Sequence, residues 1–183
     1  MNRFRIRLAP LTALGGALVF VFACVTAPAK DTAPAATHVT WSDPATLSEV
    51  RENTCRGSVK PEEWLGELAR YLQRRAAKVL APGQRLDVTI TDIRRAGICE
   101  PWRGPRWDDV RIVKDLYAPR IDLRFELADS DGRRISEGER KLRDAAFLRR
   151  AVPLPADDPL RYEKRMLDDW LQREFGKHGK TGR

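Results

Sequence analysis

Apolar residues recur along this chain at two spacings, and the changes from one spacing to the other mark its elements. Trp64, Leu65, Leu68, Leu72 and Val79 return at helical intervals. Pro61 suits the first turn of that helix, Glu62 and Glu63 sit at its positive end, and Ala81-Pro82-Gly83 stops it. Strict alternation follows: Leu86, Val88 and Ile90 share one face, with Asp87, Thr89 and Thr91 on the other. The clearest strand spans 120–127, where Ile121, Leu123, Phe125 and Leu127 alternate with Arg120, Asp122, Arg124 and Glu126. One buried and one wet face predict an antiparallel sheet covered on a single side. A short strand at 38–41 and a less regular one at 110–116 complete the set. Asp129-Ser130-Asp131-Gly132 predicts a tight hairpin. The strand after it begins with Ile135 on odd numbering and reaches Leu142 on even, so it needs a bulge, expected at Gly138. Asp158 can cap and Pro159 start a final helix whose stripe is Leu160, Leu167, Trp170 and Leu171, widened by Tyr162 and Met166. The expected fold is α+β: a two-layer sandwich in which two helices cover one face of a four- to five-stranded, largely antiparallel sheet. A single domain over 38–175 is expected, with a basic, disordered tail at 176–183.

The start of the chain changes where that domain is expected to work. Arg3, Arg5 and Arg7 precede an uncharged apolar run from Leu8 to Ala23. The run falls short of the about 20 residues a membrane span needs, and Pro10 interrupts it. This is the build of a secretory signal peptide. Ala27-Pro28-Ala29 offers cleavage after Ala29, giving a signal over 1–29 and a flexible tether over 30–37. Val21-Phe22-Ala23-Cys24 resembles a lipobox and offers a lipoprotein signal over 1–23, with Cys24 acylated. An uncleaved anchor is the third reading. The expected location is the periplasm or the exterior, with an outer-membrane lipoprotein as the alternative.

Export also changes what the charge means. The chain carries 34 basic and 26 acidic residues; removing three arginines with the signal leaves 31 against 26, a mildly basic surface. Nucleic acid lies out of reach beyond the inner membrane and is not an expected partner. An envelope protein or an anionic polymer is, and the membrane enters only through a lipid anchor. Besides Cys24 the domain holds Cys55 and Cys99, with no CxxC pair. In an oxidising space the two can form a disulfide; two buried free thiols, or a reactive one, are the other readings.

Several chemistries are close to excluded. His38 and His178 are the only histidines and lie beside the tether and in the tail, so a Ser/His/acid or Cys/His centre has no base. For the same reason no metal site is expected. The sequence holds no P-loop and no dinucleotide fingerprint, so no cofactor is expected. Paired acids such as Asp108-Asp109 and Asp168-Asp169 are adjacent and point apart. What remains is CEPWRGPRWDD at 99–109, inside a connection of about 16 residues, a length that in a compact domain is usually functional or disordered. In one reading Trp102 and Trp107 pin the loop to the domain, Cys99 ties it to Cys55, and Arg103 or Arg106 pairs with Glu100 or Asp108. In the other, Trp102, Arg103, Arg106 and Trp107 form a recognition surface, indoles stacking on a sugar or peptide and guanidiniums holding an anion.

LDVTITDIRRAG at 86–97, DVRIVKDLYAPRIDLRFEL at 109–127, EGERKLRDAAF at 137–147 and DPLRYEKRMLDDWL at 158–171 together resemble the exported bacterial family catalogued as domain of unknown function 3016. The LRYEK run and the Trp-containing helix after it are the most specific part. The resemblance implies an exported protein and carries no activity, cofactor or catalytic residue. The expectation is therefore a non-enzymatic envelope module that binds a partner or aids assembly. A periplasmic hydrolase using loop carboxylates is the alternative.

Overall fold

The computed structural model describes residues 33–176 apart from Ser58. The expected signal with its two candidate cleavage sites, Cys24, and the expected tail beyond Gly176 lie outside the described residues. Nine elements matter here. In chain order they are β1 (Ala36–Trp41), α1 (Ser48–Arg51), α2 (Pro61–Ala76), β2 (Arg85–Arg94), β3 (Ile98–Cys99), β4 (Arg111–Ile112), β5 (Arg120–Ala128), β6 (Arg134–Arg143) and α3 (Arg161–Phe175).

The alternating strands build the main sheet, in the order β1-β2-β5-β6. β1 runs parallel to β2, and the other two pairings are antiparallel. Leu86, Val88 and Ile90 of β2 and Ile121, Leu123, Phe125 and Leu127 of β5 turn to one face, where Leu65, Leu68 and Leu72 of α2 and Leu167, Trp170 and Leu171 of α3 cover them. Truncating any of these leucines to alanine would cost about 2–5 kcal/mol. The expected two-layer α+β sandwich is thus present, with two long helices on one face.

Local departures have local causes. β1 starts at Ala36, inside the expected tether, because the backbone of 36–41 pairs with 85–90 whatever its side chains are. The 110–116 stretch supplies only β4, which pairs with β3 in a separate two-stranded ribbon. Gly97 lets that ribbon close: its φ is +78°, and a Cβ there would meet the Ile112 carbonyl oxygen at 2.7 Å. The expected bulge in β6 exists at Ile135 rather than Gly138. Leu127 pairs with Ser136 and Ala128 with Arg134, leaving Ile135 as the extra residue. Gly138 is instead a matter of space, since a Cβ would stand 2.7 Å from an Arg140 nitrogen and 3.4 Å from the Phe125 ring. α3 starts at Arg161, not Pro159. Asp158 still serves the turn before it, accepting from the Leu160 N–H at 2.9 Å and from the Lys164 ammonium at 2.6 Å.

The topology sorts the connections by end. β2 starts beside Ala33, whose carbonyl accepts the Gly83 N–H at 2.7 Å. It finishes at Arg94, next to residues 95–119. The 129–133 hairpin and the last turns of α2 and α3 share the first end; the long loop and α1 share the second.

Candidate recognition loop

Beyond Arg94 the chain makes ribbon strand β3 and then two short 3-10 turns, Pro101–Arg103 and Pro105–Trp107. Each begins with proline, whose fixed φ suits the first position and whose missing N–H costs nothing there. Two turns this tight cannot bury much apolar area, so the loop is fastened by covalent and polar ties. Cys55 and Cys99 form a disulfide. Next to it the Thr54 hydroxyl donates to the Cys99 carbonyl at 2.6 Å, and the Arg56 N–H donates to the Asp108 carbonyl at 2.8 Å.

Glu100 is the polar centre of the loop. Its side chain accepts from Lys114 at 2.5 Å and from the Tyr117 hydroxyl at 2.8 Å, and pairs with Arg103 at 2.6 Å. The Lys114 ammonium, followed by the Tyr117 hydroxyl and the charge of Arg103, holds the Glu100 carboxyl below the usual range against the opposing effect of desolvation. The Tyr117 hydroxyl is pushed up in return, chiefly by its bond to Glu100. Glu100 is 1% exposed, yet Lys114 and Arg103 are 42% and 45% exposed at the side chain, so only a thin layer of its own partners covers it.

A second carboxylate anchors the loop to the domain. Glu49 of α1 accepts the Arg95 backbone N–H at 2.9 Å and its guanidinium at 2.8 Å, and also binds Arg111. Arg111 donates in turn to the Gly97 carbonyl at 2.5 Å, and Arg95 lies over the Trp64 ring at 5.0 Å.

With those ties in place, the two indoles are left outward. Trp102 is 66% exposed and Trp107 37%. The first reading is met in its disulfide and its Arg103–Glu100 pair, but Trp102 stands outward rather than pinning the loop, and Trp107 is only partly covered. Arg103 bridges Glu100 and the Trp107 ring, its guanidinium 5.6 Å from the ring centroid. Arg106 is exposed and has no ion-pair partner among the described residues. Asp108 is taken by Arg56, at 3.4 Å, rather than by either loop arginine. Leu116, between the two Glu100 ligands Lys114 and Tyr117, is 81% exposed.

The sequence missed residues behind the loop. Glu163 and Lys164 of the LRYEK run and Arg165, which follows it, are buried. Glu163 accepts the Ala96 N–H at 2.6 Å and so holds the root of the loop. Burial pushes its carboxyl up, against the hydrogen bond from Ala96. Arg165 binds Asp144 at 2.6 Å and the Phe147 carbonyl at 3.1 Å, and Lys164 also reaches Glu67 at 2.5 Å. The available signal was three consecutive charges on a helix whose apolar residues leave too narrow a wet face to expose them all.

Among the described residues no group of three His, Cys, Asp or Glu side chains could hold a metal ion. None of the described helices is long and apolar enough to cross a membrane. A sequence profile for the family described as "Protein of unknown function (DUF3016)" matches residues 35–173. No curated protein matches the chain.

Proposed function

The chain belongs to the DUF3016 family, and from that premise we propose that it is an exported cell-envelope module that binds an anionic polymer or an acidic protein surface through residues 99–107. One observation carries the reading: Trp102 and Trp107 stand exposed on a loop that a disulfide and a buried carboxylate hold rigid. Large exposed aromatics on an ordered support mark interaction sites, since ordering costs little on binding. Arg106, with no ion-pair partner among the described residues, adds positive charge beside the rings, while Arg103 and Arg56 are paired with Glu100 and Asp108. The basic leader and its apolar run support delivery outside the cytosol, where the disulfide can persist.

The hydrolase reading draws no support from this geometry. Glu100 is bound by Lys114, Tyr117 and Arg103, and Asp108 by Arg56, so neither is poised as an acid or a base.

Partner recovery from envelope extracts tests the proposal, using the native protein and a Trp102→Ala, Trp107→Ala double variant. The expected result is recovery by the native protein that weakens with salt and falls at least tenfold in the variant. Equal recovery by both removes the loop from the function. Intact mass of the envelope-purified protein tests export separately: it distinguishes cleavage after Ala29, acylation at Cys24, and an uncut cytosolic chain, which would overturn the location.

A further inference from the structure

The opposite end of the sheet carries a different feature. α2 stops at Ala76, and the turn that follows brings Val79 and Leu80 to the end of α3. The β6 bulge presents Ile135 at the same place, 51% exposed, and Leu127 and Phe175 complete the wall. These side chains bound an open cavity of about 700 Å³, within the size range of small-molecule sites, which are mostly apolar with a few placed polar groups.

The wall holds few polar side chains: Lys78, Gln84, Ser136 and Glu174. Glu174 receives two bonds from Arg140, at 2.8 and 2.6 Å, and the Gln84 side chain accepts the Ala81 N–H at 2.9 Å. Lys78 is different: it is exposed and has no ion-pair partner among the described residues. A peptide or a sugar would bring many polar groups to a wall with few free partners, leaving them desolvated and unpaired. A hydrocarbon chain ending in one negative charge matches what is there, an aliphatic wall and a single ammonium.

We propose that this cavity binds a free long-chain fatty acid, its alkyl chain against Ile135, Leu80 and Phe175 and its carboxylate at Lys78. The site lies at the other end of the domain from the tryptophan loop and does not depend on it.

Titration of the full-length protein with laurate, followed calorimetrically and by displacement of the fluorescent fatty acid cis-parinarate, tests this. Saturable one-to-one binding is expected, weakened at least tenfold by Ile135→Lys. Lys78→Glu is expected to weaken laurate at least fivefold and to leave dodecanol unchanged. The Trp102→Ala, Trp107→Ala variant should bind as the native protein does. Absence of saturable binding, or equal affinity in folded Ile135→Lys, overturns the site. Insensitivity to Lys78→Glu overturns the headgroup assignment, as does tighter binding of lysophosphatidylglycerol than of laurate. Because Ile135 and Lys78 are surface residues, circular dichroism of both variants should match the native protein. A dimer in sedimentation that Ile135→Lys dissociates would assign the face to a second copy instead and overturn the proposal.

Discussion

The 99–109 loop and the start of α3 each cover a glutamate almost completely, and the two carboxyls are driven in opposite directions. Glu100 is 1% exposed and Glu163 0%. Three partners, two of them cations, surround Glu100 and hold its charge in place. Glu163 lies deeper and receives one loop N–H, so desolvation prevails and its proton is retained to higher pH. Low accessibility alone therefore does not decide ionisation: Glu100 lies under a thin layer of its own half-exposed partners while Glu163 lies deep, and depth acts together with the donors that go in with the carboxyl.

The largest disturbance of this contrast should come from the disulfide. Cys55 and Cys99 are 44 residues apart, and Cys99 adjoins Glu100. Replacing both cysteines with serine is expected to cost up to about 4 kcal/mol by chain entropy. It should also loosen the Glu100 cluster while leaving Glu163 packed. Urea denaturation measures the first effect; amide exchange, faster across 98–117 than at the start of α3, measures the second.

The two glutamates themselves should give pH profiles of opposite slope. For Glu163 the folded value is raised, so folding takes up a proton between the unfolded value of about 4.3 and the raised one. Its contribution is fullest below that unfolded value and is lost as pH rises through the folded one. Glu163→Gln keeps an acceptor for the Ala96 N–H and cannot ionise, so it should flatten the fall in melting temperature toward alkaline pH. For Glu100 the folded value is lowered. Its contribution is full above about 4.3 and disappears as pH falls through the folded value. Glu100→Gln should therefore be less stable than the native protein at neutral pH and approach it in acid. Parallel profiles for the two variants would show that the contrast is absent in solution.

The smallest effect is expected on the open face of the sheet. Arg124 and Glu139 pair at 3.0 Å with both side chains about two-thirds exposed. Arg124→Ala should leave stability within about 0.5 kcal/mol of the native protein. A larger loss by thermal denaturation would mean that the wet ion pairs do more than dissolve the sheet.

The period-2 and period-3.6 patterns made the sheet, both long helices and the covered face legible, because burial on one side leaves its mark at every second or every third to fourth residue. The register of β6 was only half legible: Ile135 and Leu142 required a bulge, but a glycine packed against Phe125 looks in sequence like a glycine that bends a strand. Trp102 and Trp107 could be located but not oriented. Their outward position depends on Glu100 finding Lys114 and Tyr117, fourteen and seventeen residues away. Glu163, Lys164 and Arg165 looked like ordinary helix charges, because their partners Ala96, Glu67 and Asp144 are distant in sequence.

β2 joins the two ends of the domain from Arg85 to Arg94, with one bulge against β5 at Thr91, about 30 Å at the rise of an extended chain. Ala33 arrives at its first residues and the tryptophans hang beyond its last. Entry and exposure are thereby kept apart: within the described residues the chain joins the domain at one end of β2, and the two exposed indoles belong to the loop that leaves the other.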